Sequence, residues 1–150
     1  AFEQVIDGCA ADAPDRPETW INPAIKSLFC TLHHAGYAHS IEAWNKNGTL
    51  AGGLYGLAIG GAFMGESMFS CARDASKITL VHLCARLWKA GFTVLDTQYT
   101  NPHLAQFGVY EIPRDAYLEK LRNALTIKTD FLSPGRNEQH LVRDYIAHKK

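Results

Sequence analysis

The stretch "LAGGLYGLAIGGAFM" at residues 50–64 constrains the fold more than any other part of the chain. It is apolar, it carries no charged residue, and Gly52, Gly53, Gly56, Gly60 and Gly61 punctuate it. It is too short to cross a bilayer, so the rest of the protein has to cover it. Glycines at that density spoil a helix and suit strands that another backbone or a ligand approaches closely. The stretch reads as one strand, "TLAGGLYGLAIG", a turn at Gly60-Gly61, and a second strand, "AFMGESMF". At the end of this apolar run stands a single carboxylate, Glu66, with Met68, Phe69 and two hydroxyls around it. A plain explanation is a turn between a buried strand and a helix. A sharper one is a pocket wall that reads an apolar ligand carrying a polar group.

The flanking sequence completes the sheet. "YAHSIEAW" reads as a strand, and "NKNG" as a hairpin turn in which Asn47 and Gly48 supply positive φ. A meander of three antiparallel strands results. Upstream, "AFEQVIDGCA" is a short amphipathic piece and "ADAPDRPE" a proline-broken linker. Asn22-Pro23 is an N-cap and first helical residue. Ile25, Leu28, Phe29 and Leu32 then share one helical face, and Gly36 stops the helix. Downstream, Asp74 is a good N-cap for a helix that Gly91 ends. Ile78, Val81, Ala85 and Trp88 form its face, widened by Leu80, Leu83, Cys84 and Leu87. "FTVLDTQ" is a short buried strand, and Asn101-Pro102 starts a short helix that Gly108 stops. "VYEI" is another strand, and Pro113-Arg114 opens a helix holding Tyr117, Leu118 and Leu121. Beyond Ile127 the sequence is polar and mixed, with "HLVRDYIAHKK" as a terminal helix. The order α-β-β-β-α-β-α-β-α predicts a mixed α/β sheet with an antiparallel half and a parallel half.

Bulk properties narrow the function classes. Fifteen basic residues balance fifteen acidic ones, so net charge gives no sign of nucleic-acid binding, although local basic patches remain open. Cys9, Cys30, Cys71 and Cys84 form no CxxC pair, and the histidines do not cluster with them at ligand spacing. Reduced buried thiols in a cytosolic protein are expected, with no metal site. His33, His34, His39 and Glu42 show no metal spacing either. The glycines match neither the dinucleotide nor the phosphate-loop fingerprint, and Ser67 and Ser70 lack the context of a nucleophile elbow.

Two constellations carry chemistry. In "LDTQ", Asp96 and Gln98 fall on one side of a strand, because side chains alternate. They stand at its C-terminal end, where open α/β sheets bind ligands. A carboxylate beside an amide can orient and deprotonate an amine; the plainer alternative is that the two merely cap a strand end. In the second, Phe63, Met68, Leu80, Leu83 and Leu87 line an apolar cavity or, more plainly, pack a core. Glu66 favours the cavity, since a buried carboxylate is costly without a purpose or a partner. Lys77, Ser67 and Ser70 are the alternative partners for it.

The element order is similar to that of the GNAT acyltransferase superfamily. Members that use acetyl-CoA usually hold its pyrophosphate on a glycine-rich loop. The corresponding junction here, "SCARDASK", has no glycine and contains an aspartate, so acetyl-CoA is not the expected donor. Together, "TWI", "LHHAGYAHSIEAW", "LAGGLYGLAIGGAFMGESMFS", "DASK" and "LDTQYTNPHLAQFG" resemble the leucyl/phenylalanyl-tRNA–protein transferase family, from about Phe2 to Leu121. The resemblance implies a GNAT-like catalytic domain spanning residues 1–150, needing no cofactor. Family members move Leu or Phe from an aminoacyl-tRNA to the N-terminal Arg or Lys of a protein, marking it for the bacterial N-degron route. It further implies that Asp96 and Gln98 are the catalytic pair. Leu54, Phe63, Met68, Leu80, Leu83, Leu87 and Leu95 would line the slot for the donor side chain, with Glu66 as its polar member. A cytoplasmic monomer with no membrane association is expected. Two departures are visible: Thr97 stands where the family commonly has Cys, facing away from the pair, and Leu54 where a Met can occur. Bacterial members usually carry a further N-terminal domain, and the expectation here is that most of it is absent from these 150 residues. Two other classes compete: a GNAT-type enzyme using an acyl-CoA, and a non-catalytic module that binds N-terminal residues or tRNA ends. A purely structural reading of the same residues is the third alternative.

Overall fold

A computed structural model describes residues 1–12, 19–135 and 138–149. The linker expected at residues 11–18 lies largely outside the described residues. Four strands form one sheet in the order β1 (Ala38–Trp44), β2 (Leu50–Ile59), β3 (Ala62–Ser70), β4 (Val94–Asp96). The first three are antiparallel, and β4 runs parallel to β3. The fold is a mixed α/β sheet with helices on both faces.

Alternation along β2 divides the core between those faces. Tyr55 and Leu57 join Phe2, Val5, Ile6 and Cys9 of α1 (Phe2–Ala10) and Phe29 of α2 (Pro23–His34). Leu54 and Ala58 join Leu80, Leu83 and Leu87 of α3 (Ala75–Ala90) on the other side. The α1 positions recur at i, i+3, i+4 and i+7, which is why a nine-residue helix buries a complete stripe. Asn22 caps α2 as expected, its side-chain oxygen accepting from the Ile25 amide at 3.0 Å. The expected α2 face is too wide, however: Leu28 is 56 % exposed. This helix packs against α1 and β1, with Phe29 reaching the Tyr55 ring of β2, so a narrow stripe centred on Phe29 suffices.

Other expectations change in detail. In the β1–β2 turn the Gly48 amide donates to the Asn45 carbonyl at 2.9 Å, and Gly48 alone takes positive φ, at 80°. Asn47 does not, because a register shift at Ala43/Trp44 absorbs the extra loop residue. Asp74 does not cap α3 with its side chain. It sits in the left-handed region (φ 62°), and its carboxylate pairs with Lys77 Nζ at 3.0 Å. The face of α3 is rotated from the expected one: Leu80, Leu83 and Leu87 are central, whereas Ile78 is 50 % exposed. "VYEI" forms no strand. β4 is only three residues long and offers little ladder for a fifth strand, so the parallel half is the β3–β4 pair alone.

Helices α4 (Pro102–Ala105), α5 (Arg114–Leu125) and α6 (Glu138–His148) complete the chain. The end of α5 docks on the β2–β3 turn, where the Gly61 amide donates to the Ala124 carbonyl at 2.7 Å. A Cβ at Gly60 would lie 2.8 Å from that carbonyl, and its φ is 56°. Glycine is required there on both counts. The segment after Ile127 is less polar in effect than it reads. Phe131 is buried, stacked on Phe63 and His39, and Leu141 of α6 is buried as well. Among the described residues no helix is long and apolar enough to cross a membrane.

Candidate active site

The end of β4 gathers the polar groups of the site. Asp96 pairs in register with Met64 of β3, and the ladder stops there. Two residues later the backbone enters the left-handed region at Gln98, φ 68°. This turn lets the Gln98 amide donate to Asp96 Oδ1 at 2.7 Å, a side-chain-to-backbone turn typical of aspartate. From across the site the Tyr117 hydroxyl of α5 donates to Asp96 Oδ2 at 2.6 Å. Gln98 Nε2 donates to the Gly65 carbonyl of β3 at 3.0 Å. Asp96 and Gln98 are thus brought together, but by a turn rather than by strand alternation. The bond to Asp96, with burial second, pushes the Tyr117 phenol up to about 12. That hydroxyl is a donor throughout the neutral range.

Glu66 arrives by a different device. Tyr55 of β2 pairs with Ser67, but the next residue, Gly56, pairs with Gly65. Glu66 is the extra residue of a β-bulge. The bulge also explains why Phe63 and Met68, an odd number of positions apart, pack on the same apolar cluster; a regular strand would put them on opposite faces. Burial pushes the half-buried Glu66 carboxyl up, and the neighbouring Asp96 charge adds to this. Two of the expected alternative partners are engaged elsewhere: Lys77 pairs with Asp74, and the Ser70 hydroxyl donates to the Ala72 carbonyl.

A groove of about 700 Å³ opens beside this cluster. β4 and residues 97–100 form one wall, and residues 107–112 with the start of α5 form the other. Leu80, Cys84, Leu95 and Phe107 make it apolar, while Asp96, Gln98, Arg114 and Lys120 supply polar groups. Thr100 Oγ1 donates to Glu111 Oε1 at 3.0 Å and ties the two walls together. Tyr99 and Tyr110, 65 % and 71 % exposed, stand in the same groove.

Of the slot residues inferred from sequence, Leu80 and Leu95 line this groove. Leu54, Phe63, Leu83 and Leu87 are buried behind it in the cluster with Leu104 and Phe131, and Met68 packs against them. The histidines have structural partners. His33 Nδ1 lies 2.8 Å from the Ala38 carbonyl and its ring stacks on Phe2, and His39 Nε2 lies 3.1 Å from the Gly36 carbonyl. Glu42 accepts from the Ser40 hydroxyl at 2.5 Å. Among the described residues no three His, Cys, Asp or Glu side chains lie together as a metal site would need. Sequence reasoning missed Tyr117 as a member of the site. Its position, one turn into the helix after the groove wall, was the only signal, and nothing in the sequence aims it at Asp96.

Comparison with known proteins agrees with the motifs. Residues 1–122 match the family described as leucyl/phenylalanyl-tRNA protein transferase. The leucyl/phenylalanyl-tRNA–protein transferase of Maricaulis maris is 55 % identical over 130 residues, 87 % of this chain and 60 % of the relative. That of Phenylobacterium zucineum is 54 % identical over 135 residues, 90 % of this chain and 61 % of the relative. That of Hyphomonas neptunium is 53 % identical over 131 residues, 87 % of this chain and 50 % of the relative. The chain spans half to three-fifths of the length of these relatives. On its family match over residues 1–122 and these identities, the chain belongs to the leucyl/phenylalanyl-tRNA protein transferase family.

Proposed function

We propose that this chain carries the catalytic part of an aminoacyltransferase that moves Leu or Phe from an aminoacyl-tRNA to the N-terminal Arg or Lys of a protein. Residues 1–150 are read as one catalytic domain with a GNAT-like arrangement of its sheet, acting as a cytoplasmic monomer in the N-degron route. The activity for which the relatives are named supports the reaction class. The observation that carries the site is the Asp96 carboxylate, held by one donor on each oxygen at the mouth of an apolar groove.

The chemistry follows from that arrangement. The donor ester is already activated, so alignment of the two substrates supplies much of the rate. Each carboxylate oxygen has two lone-pair sites. With one used by Gln98 or Tyr117, the other accepts from the acceptor's α-amino group. Asp96 thereby attracts the cationic terminus and assists loss of the proton that makes the amine a nucleophile. The nitrogen adds to the ester carbonyl, the tetrahedral intermediate collapses, the C–O bond to the tRNA breaks, and the departing ribose oxygen takes a proton. Gln98 sets the loop that presents Asp96, through its amide and its bond to Gly65. The donor side chain lies on Leu80 and Leu95, with Leu54, Phe63, Met68, Leu83 and Leu87 forming the wall behind them and Glu66 marking its polar end. An unbranched Cβ suits such a slot, where one methyl group is worth about 1–3 kcal/mol.

The test is transfer of labelled Leu from leucyl-tRNA to a peptide with N-terminal Arg. Asp96→Ala is expected to lose about 100-fold or more in turnover, and Gln98→Ala to lose activity as well. Near-wild-type turnover in both variants would overturn the catalytic assignment.

A further inference from the structure

We propose that Tyr117 is a positioning residue for the transfer step, its hydroxyl fixing the orientation of the Asp96 carboxylate. This inference rests on the role given to Asp96 above. Asp96 is the last residue of a strand with only three register pairs, and the backbone turns away directly after it. A carboxylate at such a strand end is free to rotate about its terminal bond unless both oxygens are held. The Gln98 amide holds one oxygen from the same loop, and so moves with it. The second hold comes from a different element: Tyr117 reaches Oδ2 from α5, which forms the facing wall of the groove. That helix is itself anchored, since its far end accepts from Gly61 at the β2–β3 turn. The chain from the sheet through α5 and Tyr117 back to Asp96 closes a loop, and the plane of the carboxylate is fixed against the sheet. The high phenol pKa agrees with this role, because a hydroxyl that keeps its proton orients the carboxylate without competing for the substrate's. Tyr117 touches no reacting atom in this scheme.

The discriminating variant is Tyr117→Phe, which keeps the ring and removes only the hydroxyl. In the charged-tRNA assay kcat is expected to fall about tenfold, the size of one hydrogen bond to a charged group, with KM for leucyl-tRNA unchanged within about twofold. Urea unfolding of Tyr117→Phe, Asp96→Ala and the double variant supplies a readout independent of activity, and the two substitutions are expected to be non-additive. Unchanged kcat in Tyr117→Phe, with an active parent, overturns the positioning role and leaves the function standing. So does a lowered kcat with strictly additive stabilities, which would mean that Tyr117 acts through α5 packing. A parent chain that fails to transfer overturns the functional reading itself, and this role with it.

Discussion

At the scale of single residues the site sets two carboxylates in different environments. Asp96 has two donors, whereas Glu66 is half-buried beside the Asp96 charge. The Glu66 carboxyl is pushed above its ordinary 4.5, so the folded state favours its neutral form. The stability this supplies is complete below the ordinary carboxyl range and is lost as pH rises through the folded pKa. Glu66→Gln, a permanent mimic of the neutral form, is therefore predicted to unfold at higher urea than the parent at about pH 7, with the difference vanishing near pH 4. A lower midpoint at neutral pH would mean that the carboxylate has a stabilising partner.

At the scale of elements the bulge in β3 decides which β3 side chains join the apolar cluster behind the groove. It turns Glu66 out of the ladder and restores Met68 to the side where Phe63 lies. Gly56 of β2 stands opposite this irregularity. A Cβ there would lie 2.2 Å from the Met64 carbonyl and 2.5 Å from the Phe63 ring. Gly56→Ala is predicted to cost about 3 kcal/mol, the high end of overpacking, measured by urea unfolding; a loss near zero would show that β3 can shift freely. The three-strand meander was legible in the sequence because glycines and hairpin turns bracket apolar runs at strand length. The bulge was not, since an extra residue alters no composition or local spacing and shows only when β2 is laid against β3. The pairing of Asp96 with Gln98 was legible for the wrong reason: alternation was assumed where a left-handed Gln98 performs the task. "VYEI" illustrates the converse. Its residues favour a strand, but β4 has too little free edge to receive one.

At the scale of the whole molecule, the part beyond Ile127 is a structural cover for the second face of the sheet. Arg86 of α3 is buried and donates to the carbonyls of Phe131 at 3.1 Å and Gly135 at 2.8 Å. Trp88 stacks on His148 and contacts Tyr145 of α6. Neither tie is visible as periodicity, because each joins residues more than forty positions apart. Arg86→Met is predicted to cost about 3 kcal/mol, since it strips charged donors from two carbonyls. The loss should appear in urea unfolding together with faster proteolysis of the segment from Phe131 onward. Unchanged proteolysis would show that the segment is held without Arg86. The apolar cluster that this cover completes, Leu54, Phe63, Leu83, Leu87 and Phe131, is also the backing of the groove. Core packing and the proposed donor slot are therefore one structure seen from two sides.

The most direct measurement is a crystal structure of the chain with a non-hydrolysable phenylalanyl-adenosine amide. The expected result is the phenyl ring against Leu80 and Leu95, and the α-carbonyl carbon facing Asp96 with room between them for the acceptor's amine. A ligand seated away from the end of β4, with Asp96 still facing an empty groove, would contradict it.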